Sequence, residues 1–250
     1  KTQAEVKEKR KRALEEAKKV DFTRTGKYTV EQWMDEWFEN VCKIKVRPSS
    51  HQTYRGYIDH HVAPNIGKIP LEKLSTMDLQ KLYRKLMNKG RVERIEAEHQ
   101  PKGLSAKTIK NIHGILHHAL EQALRNNYIR TNPANACVIP RAVKKKVKPM
   151  NEHQIADFLK AVKGHKYENM FLVTLFTGMR QGEVCGLQWE CVDFNNGTIL
   201  IDKQLQSLRG KVRGDKEKYA LVPTKNGKER TITAAPFVMD LLWKTKQAQD

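Results

Sequence analysis

Apolar positions in this chain follow a helical rhythm first and a strand rhythm only later. Thr-Val-Glu-Gln at residues 29–32 has the form of a capping box, and Trp33, Trp37, Phe38 and Val41 follow on one face of the helix it opens. Arg47-Pro48-Ser49-Ser50 interrupts that helix, and Ser49 or Ser50 is placed to cap a second one through Tyr54, Tyr57 and Ile58. After a loop with Pro64, Gly67 and Pro70, Ser75 and Asp78 start a third, bearing Leu79, Leu82 and Leu86. Residues 89–103 are polar and irregular, which predicts a loop. Ser105 then caps the clearest helix, with Ile109, Ile112, Leu116, Ala119, Leu120, Ala123 and Leu124 at helical spacing. It ends near Asn126-Asn127, and Asn132-Pro133 forbids its continuation. Residues 29–135 therefore read as a small helical bundle.

The second half changes period. Asn151-Glu-His-Gln154 is another capping signature, ahead of Ile155, Phe158, Leu159 and Val162. An apolar helix over Phe171 to Phe176 stops at Thr177-Gly178, and a short helix follows from Gln181 to Leu187. Strand-like runs then occupy 198–201, 219–222 and 230–233, and Asn226-Gly227 between the last two is a hairpin signal. A final helix starts at Pro236. The expected fold class is mainly α with an α+β second domain. Its expected divisions are 1–28, a basic helix or linker; 29–135, the bundle; 136–149, an extended basic linker; and 150–250, the α+β unit.

Charge changes this picture more than composition does. With 39% hydrophobic and 30% charged residues the chain is a globular one, and no run approaches the roughly 18 apolar residues a membrane span needs. No charged-then-apolar signal segment opens it, so a cytoplasmic place is expected. A formal charge of +19 repels itself unless a polyanion neutralises it, which points to nucleic acid without separating DNA from RNA or an enzyme from a binding module. Cys42, Cys137, Cys185 and Cys191 have no paired spacing and read as buried free thiols. His113 and His117 are one helical turn apart, but no third ligand is recognisable, and no metal site is expected.

The stretch from Thr177 to Asp193 carries the most specific pattern. Thr177, Gly178, Arg180, Glu183, Leu187, Trp189 and Asp193 each match the first catalytic box of the tyrosine recombinase (phage integrase) family, which the chain resembles over about residues 29–250. A glycine permits a sharp turn that stands Arg180 at the start of a helix, where its guanidinium can donate twice to one phosphate. Glu183, three residues on, can orient a neighbour; the alternative is a surface arginine with its ion-pair partner. Residues 222–233, Val-Pro-Thr-Lys-Asn-Gly-Lys-Glu-Arg-Thr-Ile-Thr, resemble the family's β-hairpin with its catalytic lysine. By that resemblance Lys225 is the lysine and Lys228 its rival. Gln204 to Lys218 reads as an inserted basic loop. Leu104-Ser105, Lys107 to Ile109, Asn132-Pro133-Ala134, Ser49 with Thr53, and Gly67 to Leu71 resemble the family's helical (SAM-like) core-binding domain, most closely in integrases of phages and conjugative transposons.

The resemblance implies a site-specific recombinase that cleaves and rejoins DNA through a 3′-phosphotyrosine, with Arg180 and Lys225 catalytic, Glu183 supporting, and neither metal, ATP nor other cofactor. It implies double-stranded DNA as partner, a homodimer to tetramer on that DNA, and an accessory DNA-bending or excision factor, in a bacterial nucleoid. Expected DNA contacts are Thr53, Arg55, Lys107, Lys110, Arg141, Lys144, Lys145 and Lys146. After Lys225 there is no histidine and no tyrosine, so the family's His-x-x-Arg and nucleophile are expected outside these residues and the chain by itself inactive. A non-catalytic DNA-binding regulator on the same fold is the other reading, and an RNA-binding protein a third.

Overall fold

The computed structural model describes residues 5–11, 28–92, 101–142, 146–207 and 219–249. The chain forms two compact units, Lys1–Lys145 and Lys146–Asp250.

In the first unit, helix α1 (Val30–Trp37) begins at the anticipated capping box, the Thr29 hydroxyl accepting from the Gln32 N–H while the Gln32 side chain accepts from the Thr29 N–H. Wider, π-type turns at Phe38–Cys42 carry the same rod onward. The start of α1 is pinned to the Gly67–Leu71 segment, since Val30 N–H donates to the Ile69 carbonyl and Leu71 N–H to that of Tyr28. Helix α2 (Pro48–Tyr57) corrects the expected start: neither Ser49 nor Ser50 caps it, Arg47 is the N-cap and Pro48 the first helical residue. Proline has no N–H to leave unsatisfied there, and its fixed φ suits a first turn. Helix α3 (Thr76–Lys89) has the Ser75/Asp78 capping box, and α4 (Ala106–Arg125) is capped by the Ser105 hydroxyl.

These helices bury one continuous core, including Val30, Met34, Ile58, Leu79, Ile109, Ile112 and Leu116. Each such side chain contributes about 1.5–3 kcal/mol by leaving water. Trp33 belongs to it, its indole N–H satisfied by the Ala119 carbonyl at 2.9 Å. Asn132, also buried, donates to the His117 carbonyl and the Glu121 carboxylate and accepts from the Ala134 N–H, which fastens the chain leaving α4.

The second unit contains α5 (Glu152–Val162), opened by the Asn151/Gln154 box, then α6 (Glu168–Thr177), α7 (Gln181–Cys185) and, last, α8 (Pro236–Gln247). Strands β1 (Val192–Asp193), β2 (Thr198–Ile201) and β5 (Arg230–Thr233) make an antiparallel sheet in the order β1-β2-β5. Strands β3 (Lys203–Ser207) and β4 (Tyr219–Pro223) form a separate antiparallel ribbon, Leu205 facing Leu221. Val173, Met179, Ile199, Ile201, Val238 and Leu242 are its core.

Two expectations fail here. The strands flanking Asn226-Gly227 do not pair with each other: β4 pairs with β3 and β5 with β2. Six residues separate those two strands, too many for a two-residue hairpin turn, so the turn reverses the chain between two sheets. The expected basic loop from Gln204 also starts as strand; its remainder at 208–218 lies outside the described residues.

Candidate active site

Helix α6 ends on Gly178, whose φ of 65° lies in the left-handed region and whose N–H donates to the Thr174 carbonyl. A Cβ there would meet nothing within 4 Å, so conformation and not space demands glycine. That turn delivers Arg180 in extended conformation as the N-cap of α7. The helix has only five residues, so its dipole adds little to the arginine's own charge.

Glu183 is the centre of the site. Its residue is 1% exposed, and each carboxylate oxygen accepts two hydrogen bonds. Oε1 takes Nη1 of Arg180 at 2.8 Å and Nη1 of Arg230 at 3.0 Å; Oε2 takes the Arg180 backbone N–H at 2.9 Å and Nη2 of Arg230 at 2.6 Å. The Arg230 fork beside it, then the bonds from Arg180, hold its carboxyl down at about 2 against the opposing effect of burial. The same contact raises the Arg230 guanidinium. Arg180 is spent differently: only Nη1 of its side chain is engaged among the described residues, and the side chain is 58% exposed. Such a guanidinium, fixed at one nitrogen and open elsewhere, can receive an anion.

Arg230 is the residue that reading the sequence missed as part of the site. Its partner lies 47 positions away on α7, and the pairing of β5 with β2 holds Arg230 opposite Ile201. Two glycines add a second unseen link. A Cβ on Gly186 would sit 2.5 Å from the Leu205 nitrogen and 2.9 Å from the Gln204 carbonyl carbon, and one on Gly182 would sit 3.1 Å from the Leu205 oxygen. Their spacing of one helical turn lets α7 lie directly on β3, so the arginine box rests on the ribbon.

Lys225 sits exposed in the turn after β4. Buried Thr224 anchors that turn: its N–H donates to the Asp202 carbonyl, its hydroxyl to the Lys228 carbonyl, and its own carbonyl accepts from the Gly227 N–H. Lys228 is equally exposed, on the far side of Gly227.

In the first unit Thr53, Lys107 and Lys110 are exposed helix residues, whereas Arg55 is half-buried and ion-paired to both Asp35 and Asp59. Arg141 and Lys146 are exposed; Lys144 and Lys145 lie outside the described residues. His113 Nδ1 shares a hydrogen bond with the Tyr83 hydroxyl, and His117 Nε2 donates to the Asn135 amide oxygen. Of the thiols only Cys42 and Cys191 are buried; Cys137 is half-buried and Cys185 exposed, which corrects the expectation of four buried ones. Among the described residues no helix is long and apolar enough to cross a membrane.

Comparison with known proteins bears on the family and the fold. The model described as "Phage integrase, N-terminal SAM-like domain" matches residues 29–87, and that described as "Phage integrase family" matches residues 146–249. A "Tyrosine recombinase XerC-like" protein of Caldanaerobacter subterraneus subsp. tengcongensis is 23% identical over 226 residues, 88% of this chain and 54% of that protein. The ICEBs1 integrase of Bacillus subtilis is 21% identical, over 84% of this chain and 52% of its own length. The chain thus spans about half the length of the curated relatives it matches. Among solved structures, the Tn1549 transposon integrase in complex with a circular intermediate DNA superposes with a TM-score of 0.70 at 21% identity, covering 88% of this chain and 65% of that one. A lambda integrase tetramer bound to a Holliday junction gives 0.60 at 18% identity, over 92% and 59%.

Proposed function

Because the chain belongs to the phage integrase family of tyrosine recombinases, we propose that it is the DNA-binding and arginine–lysine part of a site-specific recombinase from a mobile element. The observation that carries this reading is Glu183, sealed from water and saturated by Arg180 and Arg230, with the rest of the Arg180 guanidinium open to solvent.

In this reading a tyrosine hydroxyl attacks the scissile phosphate, the 3′ side of the break becomes a phosphotyrosine, and the 5′-oxygen leaves with a proton. Charge gathers on the nonbridging oxygens as the bond order changes, and Arg180, pre-aimed by Glu183, stabilises it without reorganising. Lys225, exposed on an anchored turn, supplies the proton to the leaving oxygen. The covalent link conserves the bond energy, so rejoining needs no ATP. The His-x-x-Arg pair and the nucleophile of the family have no counterpart in these 250 residues after Lys225, so cleavage belongs to a protein that also carries them, and the chain by itself binds DNA without cutting it.

Duplex DNA is the partner, gripped through phosphates by Thr53, Lys107, Lys110, Arg141 and Lys144 to Lys146, with Arg55 contributing once DNA competes with Asp35 and Asp59. Copies assemble as dimers to tetramers on that DNA, in the bacterial cytoplasm at the nucleoid, and an accessory bending or excision factor sets direction.

The test is covalent capture. A protein carrying this chain together with the missing family residues, incubated with a nicked duplex of its own junction, should yield a protein–DNA adduct stable to denaturation. The chain alone should bind the same duplex with a steep salt dependence, about 0.9 log units per phosphate neutralised. Flat salt dependence, or no adduct from a folded protein, refutes the reading.

A further inference from the structure

A carboxylate offers about four acceptor positions, and in Glu183 all four are taken, two by the Arg230 fork and two by Arg180. Only one of the four comes from the Arg180 side chain, the more exposed of the two. The division matters because an arginine fork and a carboxylate fit each other face to face, and both Arg180 and Arg230 are within reach of the same group. We propose that Arg230 is a positioning residue: by occupying one acceptor site on each Glu183 oxygen, it restricts Arg180 to a single side-chain hydrogen bond and so keeps the remainder of the Arg180 guanidinium available to a phosphate. The inference rests on the reading of Arg180 as the phosphate ligand.

The physical argument concerns what happens when the fork is withdrawn. Glu183 has a side chain 0% exposed, covered by the arginines themselves, and withdrawing the fork removes two of its four donors. A buried carboxylate left half-satisfied draws in the nearest cation strongly. That cation is Arg180, three residues away and already touching Oε1. Rotating the guanidinium to give a second N–H closes a fork on Glu183 and turns the arginine inward. Arg230 also begins β5, where it stands opposite Ile201, and the Lys225 turn runs directly into that strand. One side chain therefore sets the posture of Arg180 from the strand that the Lys225 turn leads into.

The test reads the Arg180 side chain itself in the 250-residue chain, as the rate at which phenylglyoxal modifies Arg180, followed by peptide mass spectrometry. Arg230→Gln should slow that modification about fivefold or more, and Glu183→Gln with Arg230→Gln should return it close to the wild-type rate, because a neutral amide no longer captures Arg180. A merely structural role for Arg230 predicts no such rescue: the double variant would be as disturbed as the single one. Melting temperatures identify any variant that fails to fold. Arg230→Lys, which keeps the charge but lacks the fork, then carries the comparison and should react at an intermediate rate. Equal Arg180 reactivity in wild type and Arg230→Gln (or in wild type and Arg230→Lys, if the glutamine variant does not fold), or a double variant no faster than Arg230→Gln, overturns the proposal. Since the readout is the chemistry of one side chain, its failure is distinct from a failure of the recombinase reading, which the covalent-capture experiment decides.

Discussion

Replacing Glu183 by glutamine should weaken the second unit in a way that depends on pH. The wild-type carboxyl is held at about 2 in the folded chain, against 4.5 for an unperturbed one. A group whose folded pKa is depressed stabilises fully above its unfolded pKa and loses that contribution as pH falls through the folded value. The difference corresponds to about 3 kcal/mol, trimmed to roughly 2–3 because both arginines reach solvent. At pH 7 Glu183→Gln should therefore lie about 2–3 kcal/mol below wild type, and the two should converge as pH falls from about 5 to about 2. Urea titrations should be followed by labelling of Cys191, a buried thiol of the second unit, using a disulfide reagent that works in acid. A gap that stays constant across that window would refute the reasoning, as would no gap at pH 7, because either would show that the carboxylate charge is not what the arginines stabilise.

Gly186→Ala should destabilise the second unit by about 1–3 kcal/mol, since its Cβ would meet backbone of β3 that cannot step aside, and the same labelling measures it. In a protein carrying the full set of family residues, Arg180→Lys should leave DNA affinity nearly unchanged while slowing cleavage by the equivalent of about 3 kcal/mol or more; cleavage within tenfold of wild type speaks against Arg180 as a phosphate ligand. In that protein Lys225→Ala should cut ordinary DNA poorly and a bridging 5′-phosphorothiolate substrate well, because a thiolate leaves without a proton, whereas Lys228→Ala should alter neither much. Equal defects of Lys225→Ala on both substrates would make the lysine a positioning charge.

Legibility in the sequence tracks how local the physics is. The capping boxes at Thr29, Ser75 and Asn151 and the Ser105 cap involve partners three residues apart, and all four stand where the pattern puts them. Gly178 and Glu183 were readable for the same reason, within a motif of seventeen consecutive residues. The break at Pro48 stands, but the cap of the next helix is not at Ser49 or Ser50, because the residue that interrupts one helix also starts the other. Strand β3, Lys-Gln-Leu-Gln-Ser, has a single apolar residue and no alternation to display, since it pairs only in a half-exposed two-stranded ribbon. The partner choice of β4 and β5 was hidden for a related reason: a turn signal says that the chain reverses, not which strands then meet. Arg230 was invisible as a site residue because nothing near it in sequence is its partner.

That separation also sets an order of events during synthesis. Glu183 leaves the ribosome 47 residues ahead of the second arginine that pairs with it, an interval of roughly 2–10 s at ordinary elongation rates. With Arg180 alone in place two of the four acceptor positions of Glu183 are still open, and enclosing it in that state is costly, so closure around α7 is expected to follow the emergence of β5. The first unit has a longer link of its own, from the Trp33 indole to the Ala119 carbonyl, but it precedes the second in the chain and can be complete while its neighbour is still being translated. Arrival of Arg230 thus completes the pairing of Glu183 last.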